Sequence, residues 1–182
     1  MYKRQDKAIA NGIAYATEDR KAYGLILIEP IKDNITLANL EAISEAGIVN
    51  EPKELTVTRE YRDKLNIKCS SILQLAVNLS GGNQQKVVLS KWLFANPDIL
   101  ILDEPTRGID VGAKYEIYTI INRLDSEGKG IIMISSELPE ILGVCDRIYV
   151  MNNGKIVGEM PVQEASQEKI MMSIMKKQEV AQ

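Results

Sequence analysis

Two adjacent acids, Asp103 and Glu104, close the apolar run Ile99-Leu100-Ile101-Leu102 and are followed by Pro105. Such a run predicts a short strand buried on both faces, as in a parallel sheet covered by helices. Open α/β sheets place their ligands at the carboxyl end of such strands, where these two carboxylates would lie. Paired acids there suit a metal ion and a water that must be polarised. A strand ending in an acidic turn is the plain alternative for Asp103-Glu104-Pro105 taken alone. Upstream, Leu79-Ser80-Gly81-Gly82 precedes Asn83-Gln84-Gln85-Lys86 and apolar residues at Val88, Leu89, Trp92 and Leu93. Their spacing makes one buried helix face. Ser80 is placed to cap that helix, and the two glycines let a phosphate approach backbone amides. A helix N-terminus with free N–H groups attracts anions, although an ordinary Ser-capped helix would show the same pattern. Downstream, Gly108-Ile109-Asp110 ends on a residue suited to cap a helix beginning at Val111-Gly112-Ala113.

In this order the three pieces resemble the signature, Walker B and D-loop segments of ATP-binding-cassette (ABC) ATPases. The resemblance implies that Asp103 holds Mg²⁺ and that Glu104 polarises the water attacking the terminal phosphate of ATP. It assigns Ser80, Gly81, Gly82 and Gln84 to nucleotide contact, presented across a head-to-tail dimer to ATP held by a partner ABC cassette. Asp110 would run along that dimer interface, and its capping role is compatible with this. A strand over 13–16 leads into Thr17-Glu18-Asp19-Arg20. In the family a Gln here meets both the metal and the transmembrane partner, and Glu18 occupies the matching place. A solvated turn with an internal Glu18–Arg20 pair is the alternative. After a further apolar strand, Ile131-Ile132-Met133-Ile134, comes Ser135-Ser136-Glu137-Leu138-Pro139. The family carries a phosphate-contacting histidine at this junction, and Ser136 stands in its place. A serine donates a hydrogen bond without the charge of an imidazolium. Ser136 is equally suited to cap a helix over 138–143.

Composition narrows the classes. With 182 residues, 45% of them hydrophobic, the chain can bury a real core in one or two units. Basic residues number 22 against 25 acidic ones, a net charge of −3, which argues against a nucleic-acid partner. The absence of histidine excludes His-based metal sites and Ser-His-Asp triads. Cys69 and Cys145 lack CxxC spacing and read as reduced thiols of a cytosolic protein. No apolar run reaches membrane-spanning length and the N-terminus lacks a signal-peptide core, so a membrane role is expected through a partner.

The elements that would position these residues read as an α/β fold. Residues 1–11 are polar, with little to fix them. Asp33-Asn34-Ile35-Thr36 starts a helix whose apolar members Ile35, Leu37, Leu40 and Ile43 run to a break near Gly47. Residues 52–67 form a charged helical pattern, read most simply as a solvated face, with docking onto a coupling helix of the membrane domain as the alternative. Ile117, Ile120, Ile121 and Leu124 mark an amphipathic helix between the two buried strands, a parallel βαβ unit. Asn153-Gly154 signals a type I′ hairpin between strands over 148–151 and 155–157. A last amphipathic helix is expected over 162–176, with 178–182 fraying. The family resemblance makes 1–32 and 97–160 a partial P-loop NTPase core of mainly parallel sheet with flanking helices. Residues 33–96 are then an inserted helical subdomain carrying the signature, and 161–182 a C-terminal helix and tail.

One part of the family's machinery is missing. Nothing matches Gly-x-x-x-x-Gly-Lys-Ser/Thr, the loop that wraps the β- and γ-phosphates. The chain is therefore expected to be the carboxyl-terminal part of one cassette, inactive alone and with apolar sheet surface exposed. Asn83-Gln84-Gln85-Lys86, the run from Pro105 to Lys114, and Ser135-Ser136-Glu137-Leu138-Pro139-Glu140 together resemble the second cassette of tandem importers for simple sugars. That branch implies a transmembrane permease, an external sugar-binding protein acting indirectly, and a cytoplasmic ATPase on the inner face of the membrane. A nucleoside importer, a soluble ABC ATPase without a membrane partner, and a truncated remnant acting as an interaction module remain as alternatives.

Overall fold

A short helix, α1 (Gln5–Ala10), opens the computed structural model, which describes residues 5–175, where the sequence suggested an unfixed segment. Strand β1 (Ile13–Ala16) follows, then a wide π-type turn, Arg20–Gly24. Helix α2 (Ile31–Thr36) starts earlier than the Asp33 signal suggested, with Pro30 at its cap. Pro30 supplies the fixed φ that precedes a helix, while Asn34 turns inward and its carboxamide accepts from Ile26 N at 2.8 Å. The expected continuation to Gly47 is instead a tight 3₁₀ segment, Leu37–Ile43, kinked at Asn39. It ends in a small hairpin of β2 (Ser44–Glu45) and β3 (Ile48–Val49). Helix α3 (Glu51–Lys64) is capped by Asn50. Its charge is not all solvated: Glu54 is buried, accepting from Thr36 Oγ1 at 2.9 Å and Lys32 Nζ at 2.7 Å.

Helix α4 (Gly81–Phe94), strand β4 (Ile99–Asp103), helix α5 (Val111–Ser126) and strand β5 (Gly130–Ile134) complete a parallel sheet of order β1-β4-β5. Register sets Tyr15 beside Ile101 and Ile101 beside Ile132. The side chains alternate, so Ala14, Ala16, Leu100 and Leu102 are buried together on one face. The other face is open: Tyr15 is 43% exposed and Ile132 52%, with Ile99 and Ile134 also exposed. The expectation of burial on both faces is corrected here, because among the described residues of this unit helices pack on one face of the sheet and leave the other exposed. Against the covered face lie Val87, Val88 and Leu89 of α4, all fully buried, and α5 contributes Ile117, Ile120, Ile121 and Leu124 as expected.

The chain divides into two units, Met1–Ile134 and Ser135–Gln182, so residues 33–96 share one unit with the sheet. The second unit holds α6 (Leu138–Val144), the antiparallel pair β6 (Arg147–Asn152) and β7 (Lys155–Pro161), and α7 (Gln167–Met175). Asn153 and Gly154 both have positive φ, as a type I′ turn requires. Ile148, Val150 and Ile170 centre its core. The expected helix over 162–176 is shorter: a 3₁₀ turn, Val162–Glu164, precedes α7, and 176 and 178–182 lie outside the described residues.

Candidate functional site

Strand β4 ends on Asp103, and the chain then turns sharply: Glu104 sits at φ 46°, a left-handed conformation uncommon for a residue with a Cβ. The turn is held because Glu104 N donates to Ile134 O at 2.8 Å and Arg107 N to Glu104 O at 3.1 Å. Backbone held off its favoured basins at a strand end is often a functional position. Asp103 has a partner that sequence reasoning missed: Tyr15 Oη donates to its Oδ2 at 2.6 Å. That bond, then burial and the carboxylate charge, raise the Tyr15 pKa, so the hydroxyl keeps its proton at neutral pH. The signal was present in the alternation of β1, which points Tyr15 to the face shared by Ile101 and Asp103, but it needed the β1–β4 register.

The other expected contact group lies at the start of α4. Ser80 is its N-cap, its hydroxyl accepting from Asn83 N at 3.5 Å and bonded to Asn83 Nδ2 at 2.9 Å. Asn83 in turn accepts from Lys68 N at 2.8 Å. The glycines have packing reasons of their own. A Cβ at Gly82 would lie 2.5 Å from Ala113 Cβ, so Gly82 lets α4 and α5 approach. A Cβ at Gly81 would lie 2.9 Å from the Arg20 guanidinium and 3.2 Å from Gly108 O. Gln84, expected at the nucleotide, is turned inward at 4% exposure, and its Nε2 donates to Ala76 O at 3.1 Å. The helical repeat explains this placement, since Gln84 sits on the face that carries Val87 and Val88 into the core.

Asp110 caps α5, accepting from Ala113 N at 3.0 Å. The starts of α4 and α5 thus share one cleft of about 280 Å³, bordered by Lys68, Ser80, Asn83, Lys86, Asp110 and Glu116. Lys86 is almost wholly buried, yet its ammonium meets Glu116 at 2.5 Å and Asn66 O at 2.8 Å. Lys91 is buried too, donating to Gly24 O, and burial lowers its pKa. Neither lysine carries a sequence signal for burial, because each lies outside the apolar spacing of Val88, Leu89, Trp92 and Leu93.

Glu18 does not pair with Arg20. Its carboxylate forms an ion pair with the Arg107 guanidinium. Arg20 instead donates from Nη1 to Arg107 O at 2.8 Å and from Nη2 to Gly108 O at 3.4 Å. Burial lowers the Arg20 pKa, with the Asp19 charge opposing. Ser136 lies in the second unit. The cap position of α6 is Glu137, and the Ser135 hydroxyl bonds to that turn, accepting from Glu137 N at 3.0 Å and donating to Glu140 at 2.9 Å.

Among the described residues no group of three His, Cys, Asp or Glu side chains could hold a metal. Asp103 fits Mg²⁺ in the other common mode, one carboxylate complementing phosphate oxygens and water. No helix of the described residues is long and apolar enough to cross a membrane. Both cysteines are free; burial raises each thiol's pKa, opposed by Arg62 at Cys69 and reinforced by Asp146 at Cys145.

A parallel sheet that presents Asp103 and Glu104 beside a glycine-led, Ser-capped helix is the arrangement of an ATP-binding cassette. The chain belongs to the ABC transporter family, whose profile matches residues 5–107. Solved cassettes share the fold: MJ1267 aligns with a TM-score of 0.76 over 94% of this chain and 71% of its own, at 21% identity. A dimeric cassette, MJ0796 bound to ADP and Pi, aligns at 0.72 over 87% of this chain and 68% of its own, at 20% identity. Among curated proteins, the L-arabinose transport ATP-binding protein AraG of Geobacillus stearothermophilus is 67% identical over 91% of this chain. The xylose import ATP-binding protein XylG of Thermoanaerobacter pseudethanolicus is 55% identical over 90%, and the ribose import ATP-binding protein RbsA of Clostridium tetani is 53% identical over 91%. The chain spans about a third of the length of these relatives: 32%, 32% and 33%.

Proposed function

We infer that this chain is the signature and Walker B portion of a nucleotide-binding cassette in an ATP-driven importer of simple sugars, with a pentose as the cargo class. The observation that carries this reading is the 67% identity to an L-arabinose transport ATP-binding protein over 91% of this chain. Bound Mg²⁺-ATP supplies the phosphoryl group that is transferred to water. Asp103 holds the metal through one carboxylate, oriented by the Tyr15 hydroxyl. Glu104, fixed in its left-handed turn, accepts the proton of the attacking water. Ser80 and the first amides of α4 present partial positive charge to the terminal phosphate held by a partner cassette, while Asp110 caps α5 beside that interface. Gln84 and Glu18 have no direct part, and Ser136 offers at most one hydroxyl donor to the phosphate.

The residues that cradle the remaining phosphates lie outside this sequence, so the isolated chain does not turn over ATP. The importer places the cassette on the cytoplasmic face of a permease, fed by an external sugar-binding protein. The test uses residues 13–160 in place of the matching segment of the L-arabinose transport ATP-binding protein, assembled with its permease in vesicles. Labelled arabinose uptake driven by ATP, abolished by Glu104→Gln, is expected. Uptake that persists in Glu104→Gln, or an assembled complex that hydrolyses ATP without moving any pentose, would overturn the reading.

A further inference from the structure

Three segments far apart in sequence meet at one guanidinium. The turn after β1 is closed by Asp19, whose Oδ1 accepts from Lys21 N and Ala22 N, each at 3.0 Å. Leu25 N then donates to Arg20 O at 2.8 Å, so the backbone of Arg20 is held at both ends. From there the side chain crosses to the loop after β4 and donates to two successive carbonyls, Arg107 O and Gly108 O. The Arg107 side chain returns to Glu18, so residues 18–20 grip residues 107–108 through both backbone and side chain. Gly81, the first residue of α4, lies against the same guanidinium and the same Gly108 carbonyl, with no room for a Cβ. Arg20 Nε is buried with no hydrogen-bond partner among the described residues. An unmet buried donor is unfavourable, and it is retained where the rest of the side chain is needed in place.

We propose that Arg20 is a positioning residue that locks the turn after β1, the loop Arg107-Gly108 and the start of the signature helix into one block. This rests on the functional reading above, in which Ser80 and Asp110 face a nucleotide. A displacement of the turn is then carried to both nucleotide-facing segments together, since neither can shift without breaking the fork. Only arginine serves: two donors in a fixed planar fork reach two carbonyls, whereas the point charge of lysine reaches one.

The test compares Arg20→Lys and Arg20→Ala by amide hydrogen exchange of the full 182-residue chain, and by ATP hydrolysis of the longer protein carrying residues 13–160. In Arg20→Ala, exchange over 105–110 is expected to rise about tenfold while the interior of α5 stays protected, as for local opening. The lysine variant should keep the fold yet regain at most part of this protection. In the longer protein, kcat should fall about tenfold with the KM for ATP within about twofold, the signature of lost positioning rather than lost binding. Unchanged exchange over 105–110 in Arg20→Ala overturns the proposal. So does full protection in Arg20→Lys, which also decides the matter if the alanine variant unfolds. Raised exchange with unaltered kcat overturns the role in hydrolysis. Hydrolysis indifferent to Glu104→Gln would overturn the functional reading instead, and the exchange arm would be unaffected by that failure.

Discussion

The signature helix α4 and the strand β4 are joined by a short loop, yet they are finished to different degrees. Around α4 nearly every group is accounted for within the chain. Lys86 meets Glu116, Lys91 meets Gly24 O, Gln84 meets Ala76 O, and Ser80 caps the first turn. On the sheet, Leu100 and Leu102 are buried while Ile99, Ile132, Ile134 and Tyr15 face outward uncovered. The helix is a complete device and the sheet is half of one. Under the proposed function, the groups presented to a partner's nucleotide are thus built within the chain, while the open face of the sheet is left to be covered from elsewhere.

The contrast is broken most sharply by substitutions on the two faces of the sheet. Leu102→Ala removes a fully buried side chain and is expected to cost about 3 kcal/mol in a denaturant melt. Ile132→Lys, on a neighbouring strand but the open face, is expected to change stability by less than about 0.5 kcal/mol. It should also lower the self-association that the uncovered apolar face promotes, read by light scattering. Equal costs for the two would mean that the sheet is covered on both sides in solution.

Next in size is the buried ion pair. Glu116→Gln leaves the Lys86 ammonium in the core with Asn66 O as its remaining partner. A loss of about 2 kcal/mol is expected, below the fully buried case because Glu116 itself reaches solvent. At the start of α4, Ser80→Ala should cost about 1 kcal/mol and Ser80→Asn nearly nothing, since either polar side chain caps. A melt that ranked Ser80→Asn with Ser80→Ala would remove the cap from the account.

The smallest effect is one of pH. Burial alone would lower the Lys32 pKa, but the hydrogen bonds to Asp33 and Glu54, with their charges, outweigh it and raise the value. The folded state thus holds this proton more tightly than the unfolded chain. The stabilisation is full below the unfolded lysine pKa of about 10.4 and is lost as pH rises through the folded value. Lys32→Met should flatten that alkaline limb of the stability curve, and an unchanged limb would assign it to other groups.

The residues themselves explain what could be read in advance. Asp103, Glu104, Ser80 and Asp110 follow from local rules, an apolar run, a cap and a glycine, so their places were legible along the chain. Tyr15, Arg20 and Arg107 act across 87 to 89 positions, and no short-range pattern encodes such partners. The inward turn of Gln84 and the pairing of Glu18 with Arg107 were not legible, because motif position fixes a Cα but not the direction of a side chain. The sheet was legible in its strands and order of elements, but its open face was not: four apolar residues in a row read alike whether one or both sides are covered. The helix expected to run to Gly47 was lost to the kink at Asn39, a tertiary effect that the apolar spacing did not reveal.

The most direct measurement is Mg²⁺-dependent ATP hydrolysis by the purified 182-residue chain, beside the longer protein carrying residues 13–160, each with and without Glu104→Gln. The account predicts no turnover from the chain alone, and turnover in the longer protein that Glu104→Gln abolishes. Stoichiometric hydrolysis by the chain alone, lost in Glu104→Gln, would contradict it, because the sheet's open face would then belong to a finished site.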